Sequence, residues 1–340
     1  MKALRLNEID IIRTWVIIAL VAYHALAPYT GSWEMPSSEL QSIPLYDWLG
    51  KLFYSGMLET FVFISGYVFA LGDNKHHYGL SDLFRIKIKR LYLPCLVFGV
   101  LYVLVLQDWQ NLLNVDCWIA IVNGIGHLWF LPMLLGCFLL EKIWLKYLGL
   151  RYWWGLLLIA LLPIPTLPAN LNSSFYYLFF FHVGYMFFLY REKFILLIKS
   201  NRGILLGLVI VYLIVFYGLT LVQIQFQITS DLSIIEKIEF MFMGRLAKLI
   251  LSSYAVIVYY ALGSLLASFI KDKSMEVYRY FAKYSFAIYI FQQIILIFLY
   301  YDTLYCNSVG NYYIPLGGGN YRFGVILPVK LYCFEDSNCK

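Results

Sequence analysis

Apolar runs near the length of a bilayer crossing recur along the chain at about 12–30, 50–71, 91–107, 128–145, 152–167, 174–190, 203–222, 249–270 and 284–301. A chain punctuated in this way has few long polar stretches with which to cover its apolar surface, so lipid must be the solvent for most of it. Composition agrees: 61% of residues are hydrophobic, only 14% are charged, and mean hydropathy is +0.72, well below the charge content of a soluble domain. The expected fold class is all-α, a polytopic integral membrane protein with about nine to ten transmembrane helices and almost no soluble domain. Residues 1–301 read as one membrane domain, and 302–340 as a polar C-terminal tail, rich in Gly, Asn and Tyr, whose best apolar stretch is a degenerate or truncated last span.

The net charge of +6 matters through its placement and gives no reason to invoke nucleic acid. Lys and Arg cluster in alternate connections, for instance Arg85, Lys87, Lys89 and Arg90, or Lys142, Lys146 and Arg151. The connections at 31–49, 108–127 and 168–173 hold neither residue. The positive-inside rule then puts the N-terminus in the cytosol. Lys237, Arg245 and Lys248 break the alternation and read as part of an interfacial helix on the outer side. A cleaved signal peptide ending near Ala25-Leu-Ala27 is the alternative for the N-terminus, but Asp10 and Arg13 fit its apolar core poorly. Cys306, Cys333 and Cys339 fall where a disulfide is possible, whereas Cys95, Cys117 and Cys137 read as packing residues.

A charge at the bilayer centre costs roughly 2.5–3.5 kcal/mol on insertion scales, so each one needs a reason. In the first span, Asp10-Ile-Ile-Arg13 is followed by His24. On a helix Arg13 and His24 differ by about 20° around the axis and by about 16 Å in depth, and Asp10 lies within about 60° of Arg13. The competing structural reading makes Asp10 a helix-dipole partner, Arg13 an interfacial anchor and His24 a hydrogen-bonder to a neighbouring helix. Glu59 reaches a similar depth in the second span and is the candidate partner of His24 on depth alone. Arg85-Ile-Lys87-Ile-Lys89-Arg90 reads as a cytosolic loop, serving either as a topology signal or as a phosphate site. His127 and Trp129 open the fourth span where a polar external substrate could reach them. His182 reads as a structural hydrogen-bonder, and His76 and His77 as solvated. No HExxH, paired CxxC or Walker loop is present, so no metal site and no permanently bound cofactor is expected.

In this order the motifs resemble the membrane acyltransferase family 3: Asp10-x-x-Arg13 with His24, Phe61-Val-Phe-Ile-Ser65-Gly66-Tyr67, Arg90-Leu-Tyr-Leu-Pro94, His127-Leu-Trp129-Phe-Leu-Pro132, and Tyr284-Ser-Phe-Ala-Ile-Tyr289. Where many relatives carry His after the last motif, this chain has Gln292 and Gln293. The resemblance implies a bacterial cytoplasmic (inner) membrane O-acyltransferase. It would take an acyl group, usually acetyl, from cytosolic acyl-CoA (acetyl-CoA) as co-substrate to a hydroxyl of a surface polysaccharide or glycolipid. It further implies that Arg13, Arg85 and Arg90 hold CoA phosphates, that His24 is base or nucleophile with Asp10 orienting Arg13 and Glu59 beside His24, and that His127 and Trp129 meet the acceptor. A transporter or flippase for a polysaccharide precursor is the alternative, because buried charges also mark substrate pathways, but no paired halves with matching broken helices are visible. A non-catalytic envelope scaffold would leave the Asp10–Arg13–His24 face unexplained.

The orientation is directly testable. In a cysteine-free background, a single cysteine at Asn172 should react with a membrane-impermeant maleimide added to intact cells, and one at Asn74 only after permeabilisation. External labelling at Asn74 would reverse the charge-based topology.

Overall fold

A computed structural model describes residues 6–33, 43–106, 109–162, 164, 167–200, 202–226 and 234–303. The three C-terminal cysteines and most of the 302–340 tail lie outside these. The described chain is helical: α1 (Asn7–Ala25), α2 (Pro44–Tyr54), α3 (Met57–His76), α4 (Leu80–Lys87), α5 (Leu93–Leu106), α6 (Val115–Asn123), α7 (Phe130–Tyr147), α8 (Trp153–Leu161), α9 (Leu171–Ser200), α10 (Arg202–Phe226), α11 (Ile234–Ala267) and α12 (Asp272–Ile297). Each of the apolar runs read from the sequence is helical over most of its described residues. Among the described residues, six helical stretches are long and apolar enough by themselves to cross a membrane: Pro44–His76, Leu80–Leu106, Gly126–Tyr147, Gly203–Thr220, Phe242–Ala267 and Asp272–Tyr300. Charged Glu8, Asp10 and Arg13 keep α1 out of that set, and α8 is short. Both are nonetheless packed into the bundle, with Val16, Ile17, Leu20, Leu156 and Ala160 buried.

Small residues set the helix crossings, as expected where lipid removes the hydrophobic drive for helices to associate. A Cβ on Gly66 of α3 would lie 1.9 Å from the Phe181 carbonyl oxygen of α9, and one on Gly184 of α9 would lie 2.1 Å from the Phe63 carbonyl oxygen of α3. The contact is reciprocal, with each glycine three residues from the carbonyl its partner meets. Phe63, Phe69, Phe181 and Phe187 fill the space beside the crossing. On the other side of α9, Ser174 donates to the Met133 carbonyl of α7 at 2.9 Å, where Gly136 leaves room for it.

The basic stretch read as a loop is helix instead. A π-turn at Ile88–Tyr92 joins α4 to α5. Pro94 gives the physical reason, since it has no N–H and its ring collides with the carbonyl four residues back, and widening the preceding turn relieves the clash. Arg85, Lys89 and Arg90 are exposed there, while Lys87 lies 3.5 Å from the centre of the Phe138 ring. On the same end of the bundle, Lys142 bridges Asp73 at 2.7 Å, and His182 Nδ1 meets Glu141 at 2.9 Å with both side chains buried. His182 thus holds its place by a hydrogen bond to Glu141.

Adding one methyl at the α3–α9 crossing should be costly. Gly66→Ala and Gly184→Ala should each lower stability by about 1–3 kcal/mol or more, as overpacking does. Gly207→Ala, whose new Cβ meets nothing within 4 Å, should be neutral or gain up to about 1 kcal/mol of helix propensity. Thermal unfolding in detergent followed by tryptophan fluorescence checks this, and an unchanged midpoint in both crossing variants would refute the close contact.

Candidate functional site

Seven helices contribute to a cavity of about 460 Å³ at the end of the bundle where α1 finishes and α3, α7 and α9 begin. His24 lies in the last turn of α1 and lines it, together with Trp33, Tyr54, His127, Trp129 and Lys248. α1 is one unbroken helix from Asn7 to Ala25, so the shared face and the depth of about 16 Å between Arg13 and His24 stand as the helical register gives them.

The two cavity histidines differ in what holds them. Gly124 and Gly126, both with positive φ (86° and 58°), turn the chain between α6 and α7 and deliver His127 into the cavity wall. Its backbone N–H donates to Gln293 Oε1 at 3.1 Å, and its Nδ1 donates to the same oxygen. Its Nε2 faces the Ile290 carbonyl at 3.1 Å, and Tyr289 donates to the His127 carbonyl at 2.5 Å. Both ring nitrogens of His127 therefore point at oxygens of α12, and neither is turned toward a ligand in the cavity. His24 is the opposite case. Its Nδ1 is buried with no hydrogen-bond partner, and neither amide atom of the adjacent Gln292 has one either. Unmet buried polar groups cost about 1–3 kcal/mol each and are rare outside sites that use them. The His24 ring stacks near Trp33 with centroids 6.1 Å apart and stands edge-on to His127 at 6.2 Å.

Glu59 does not pair with His24. Its carboxylate meets Lys248 Nζ at 3.5 Å and accepts from the Tyr176 hydroxyl at 3.4 Å. Depth along α3 fits either partner, but the rotation of α3 against α9 and α11 turns Glu59 toward Lys248. Lys248 and Arg245 are also relocated from the sequence reading. They sit within the long α11 and line the cavity. Lys248 Nζ lies 5.0–5.8 Å from the ring centres of Tyr54, Tyr176 and Tyr177, an arrangement that attracts a cation to the ring faces.

Arg13, Arg85 and Arg90 are not part of this cavity. Asp10 acts electrostatically on Arg13 from one turn away, and buried Val16, Ile17 and Leu20 fill α1 between Arg13 and His24. Trp129, His127 and His24 are thus brought together, Glu59 is one residue removed through Lys248, and the three arginines lie toward the other end of the bundle. Gln293, Tyr289, Lys248 and Trp33 are site residues that sequence reading did not select. The signals pointing to any of them were the departure from the family pattern at Gln292 and Gln293, the motif ending in Tyr289, and the break in charge alternation at Lys248.

A family model described as an acyltransferase domain matches residues 6–308. No curated protein and no solved structure matches the chain.

The Glu59–Lys248 pair can be measured by a double-mutant cycle with Glu59→Gln and Lys248→Met. Glu59 is 1% exposed and Lys248 40%, so the coupling should fall between the roughly 0–1 kcal/mol of exposed pairs and the roughly 3–5 kcal/mol lost on breaking buried ones. Chemical denaturation in mixed micelles reads it, and additive losses would show that the pair contributes nothing.

Proposed function

The chain belongs to acyltransferase family 3, and from that premise we propose that it moves an acyl group, acetyl by preference, from acyl-CoA to a hydroxyl of a surface polysaccharide or its lipid-linked precursor. The observation that carries the reading is His24, an imidazole on the wall of a cavity large enough for a sugar, whose Nδ1 makes no well-formed hydrogen bond to the protein. In this reading the protein lies in the bacterial cytoplasmic membrane with its N-terminus in the cytosol. Arg85 and Arg90 then meet water on the cytosolic side and suit the phosphates of CoA, with Arg13 deeper on the same side.

His24 accepts the proton of the acceptor hydroxyl as its oxygen attacks the thioester carbonyl. The carbon–sulfur bond breaks, CoA leaves as a thiolate, and the proton taken by His24 returns to that sulfur. The products are an ester and CoA thiol, with no net change in protonation. The covalent variant has His24 attack the thioester and carry the acyl group before the hydroxyl displaces it. His127, held by Gln293, Ile290 and Tyr289, positions the acceptor and takes no part in proton transfer. The side chains of Val16, Ile17 and Leu20 must part for a pantetheine arm to run along α1 to His24. Its needed reach matches the depth of about 16 Å.

His24→Gln keeps hydrogen-bonding capacity but cannot act as base or acyl carrier. It should reduce CoA release in the presence of an acceptor glycan by at least roughly 10²–10⁴-fold, with the thermal midpoint unchanged. His24→Ala should be equally inactive. Retention of most activity in His24→Gln would remove His24 from the chemistry.

A further inference from the structure

The wall of the cavity formed by α11 has chemistry that acyl transfer to a neutral sugar does not require. Arg245 and Lys248 stand three residues apart on one helix face and both line the cavity. Among the described residues that line it, none is an Asp or a Glu. Among the described residues, the one carboxylate against this wall is Glu59, which is buried behind Lys248 and balances a single charge. Among them Arg245 has no carboxylate of its own. It donates through Nη1 to the Leu162 carbonyl, one of the five N–H groups that a guanidinium offers. Two cations placed together repel each other, and a protein gains nothing by turning both toward a cavity unless something negative enters it. The remaining lining supplies faces for a sugar ring, notably Trp33, Trp129, Tyr54 and Tyr176, and the neutral hydrogen-bonding groups of Asn172 and Ser173.

We propose that Arg245 and Lys248 form an anion subsite, so that the acceptor is an acidic glycan whose carboxylate or phosphate docks on α11 while a nearby hydroxyl faces His24. This inference rests on the acyltransferase reading for the identity of the reaction, but its physical content is binding. A bidentate guanidinium contact fixes the distance and orientation of the anion. The tyrosines around Lys248 hold its ammonium in place without neutralising it. Acidic glycans would then be selected over neutral ones before any chemistry begins.

The test measures binding without an acyl donor, using full-length protein in nanodiscs and quenching of tryptophan fluorescence, to which Trp33 and Trp129 contribute from the cavity. The probes are trigalacturonate and its neutral methyl ester, and maltotriose phosphate with unmodified maltotriose. At least one anionic form should bind roughly ten- to hundredfold more tightly than its neutral counterpart, as a charged hydrogen bond would give, and which of the two does so separates carboxylate from phosphate. Arg245→Gln, which leaves Glu59 and its partner untouched, should remove most of that preference without weakening the neutral probe, and Lys248→Gln should act likewise. Arg245→Lys and Lys248→Arg, which keep the charge, should restore at least part of it. Equal binding of charged and neutral probes, no binding of either anionic probe, or a preference that survives both glutamine variants would each overturn the inference. A protein that prefers the acid but transfers no acyl group contradicts the proposed function alone. One that acylates neutral glycans as readily as acidic ones contradicts the anion subsite alone.

Discussion

Where α3 crosses α9, the backbone of each helix rests on a glycine of the other, Gly66 against Phe181 and Gly184 against Phe63. No side chain separates them, so the rotation of α3 about its own axis is fixed to within the tolerance of a van der Waals contact. Everything polar on α3 inherits that rotation. Two turns toward the cavity from Gly66, Glu59 is brought to Tyr176 and Lys248. Two turns the other way, Asp73 is brought to Lys142 and within 3.5 Å of the Tyr185 hydroxyl. In an apolar solvent a misrotated carboxylate has no water to turn to, so one crossing decides the pairing of two buried acids.

The same constraint separates the ends of the bundle. One end carries the exposed arginines of the π-linked helix and the Lys142–Asp73 ion pair; the other carries the cavity with His24. His127 is held at both ring nitrogens by α12, whereas His24 Nδ1 and the side-chain amide of Gln292 are buried without a well-formed hydrogen bond. On the proposed reading the two histidines divide the labour: His127 shapes the site, and His24 exchanges a proton or an acyl group with the substrate that enters.

Much of this was legible in the sequence because helical periodicity acts within a single segment. The apolar runs, the common face of Asp10, Arg13 and His24, and the position of Trp129 all follow from local spacing. What stayed hidden depends on how separate helices are rotated against one another. Glu59 and His24 match in depth, but so do Glu59 and Lys248, which lie far apart in the chain, and only the glycine crossing decides between them. The contact of Gln293 with His127 spans 166 residues, and no periodicity reports it. The basic stretch at Arg85–Arg90 was taken for a loop because charge density usually marks one, whereas Pro94 widens a helix without ending it.

On the proposed reading, the exposed arginines at one end of the bundle meet the acyl donor and the cavity at the other end meets the acceptor, so that acyl transfer spans the depth of the membrane. Proteoliposomes with the protein in one orientation test this directly, because CoA thioesters carry charges that keep them on the side where they are supplied. With labelled acetyl-CoA confined to the side bearing Arg85 and Arg90 and the acceptor glycan to the cavity side, label should appear in the glycan. With acetyl-CoA and glycan both confined to the cavity side, it should not. Equal labelling in the second arrangement would contradict the separation of donor face and cavity on which the account depends.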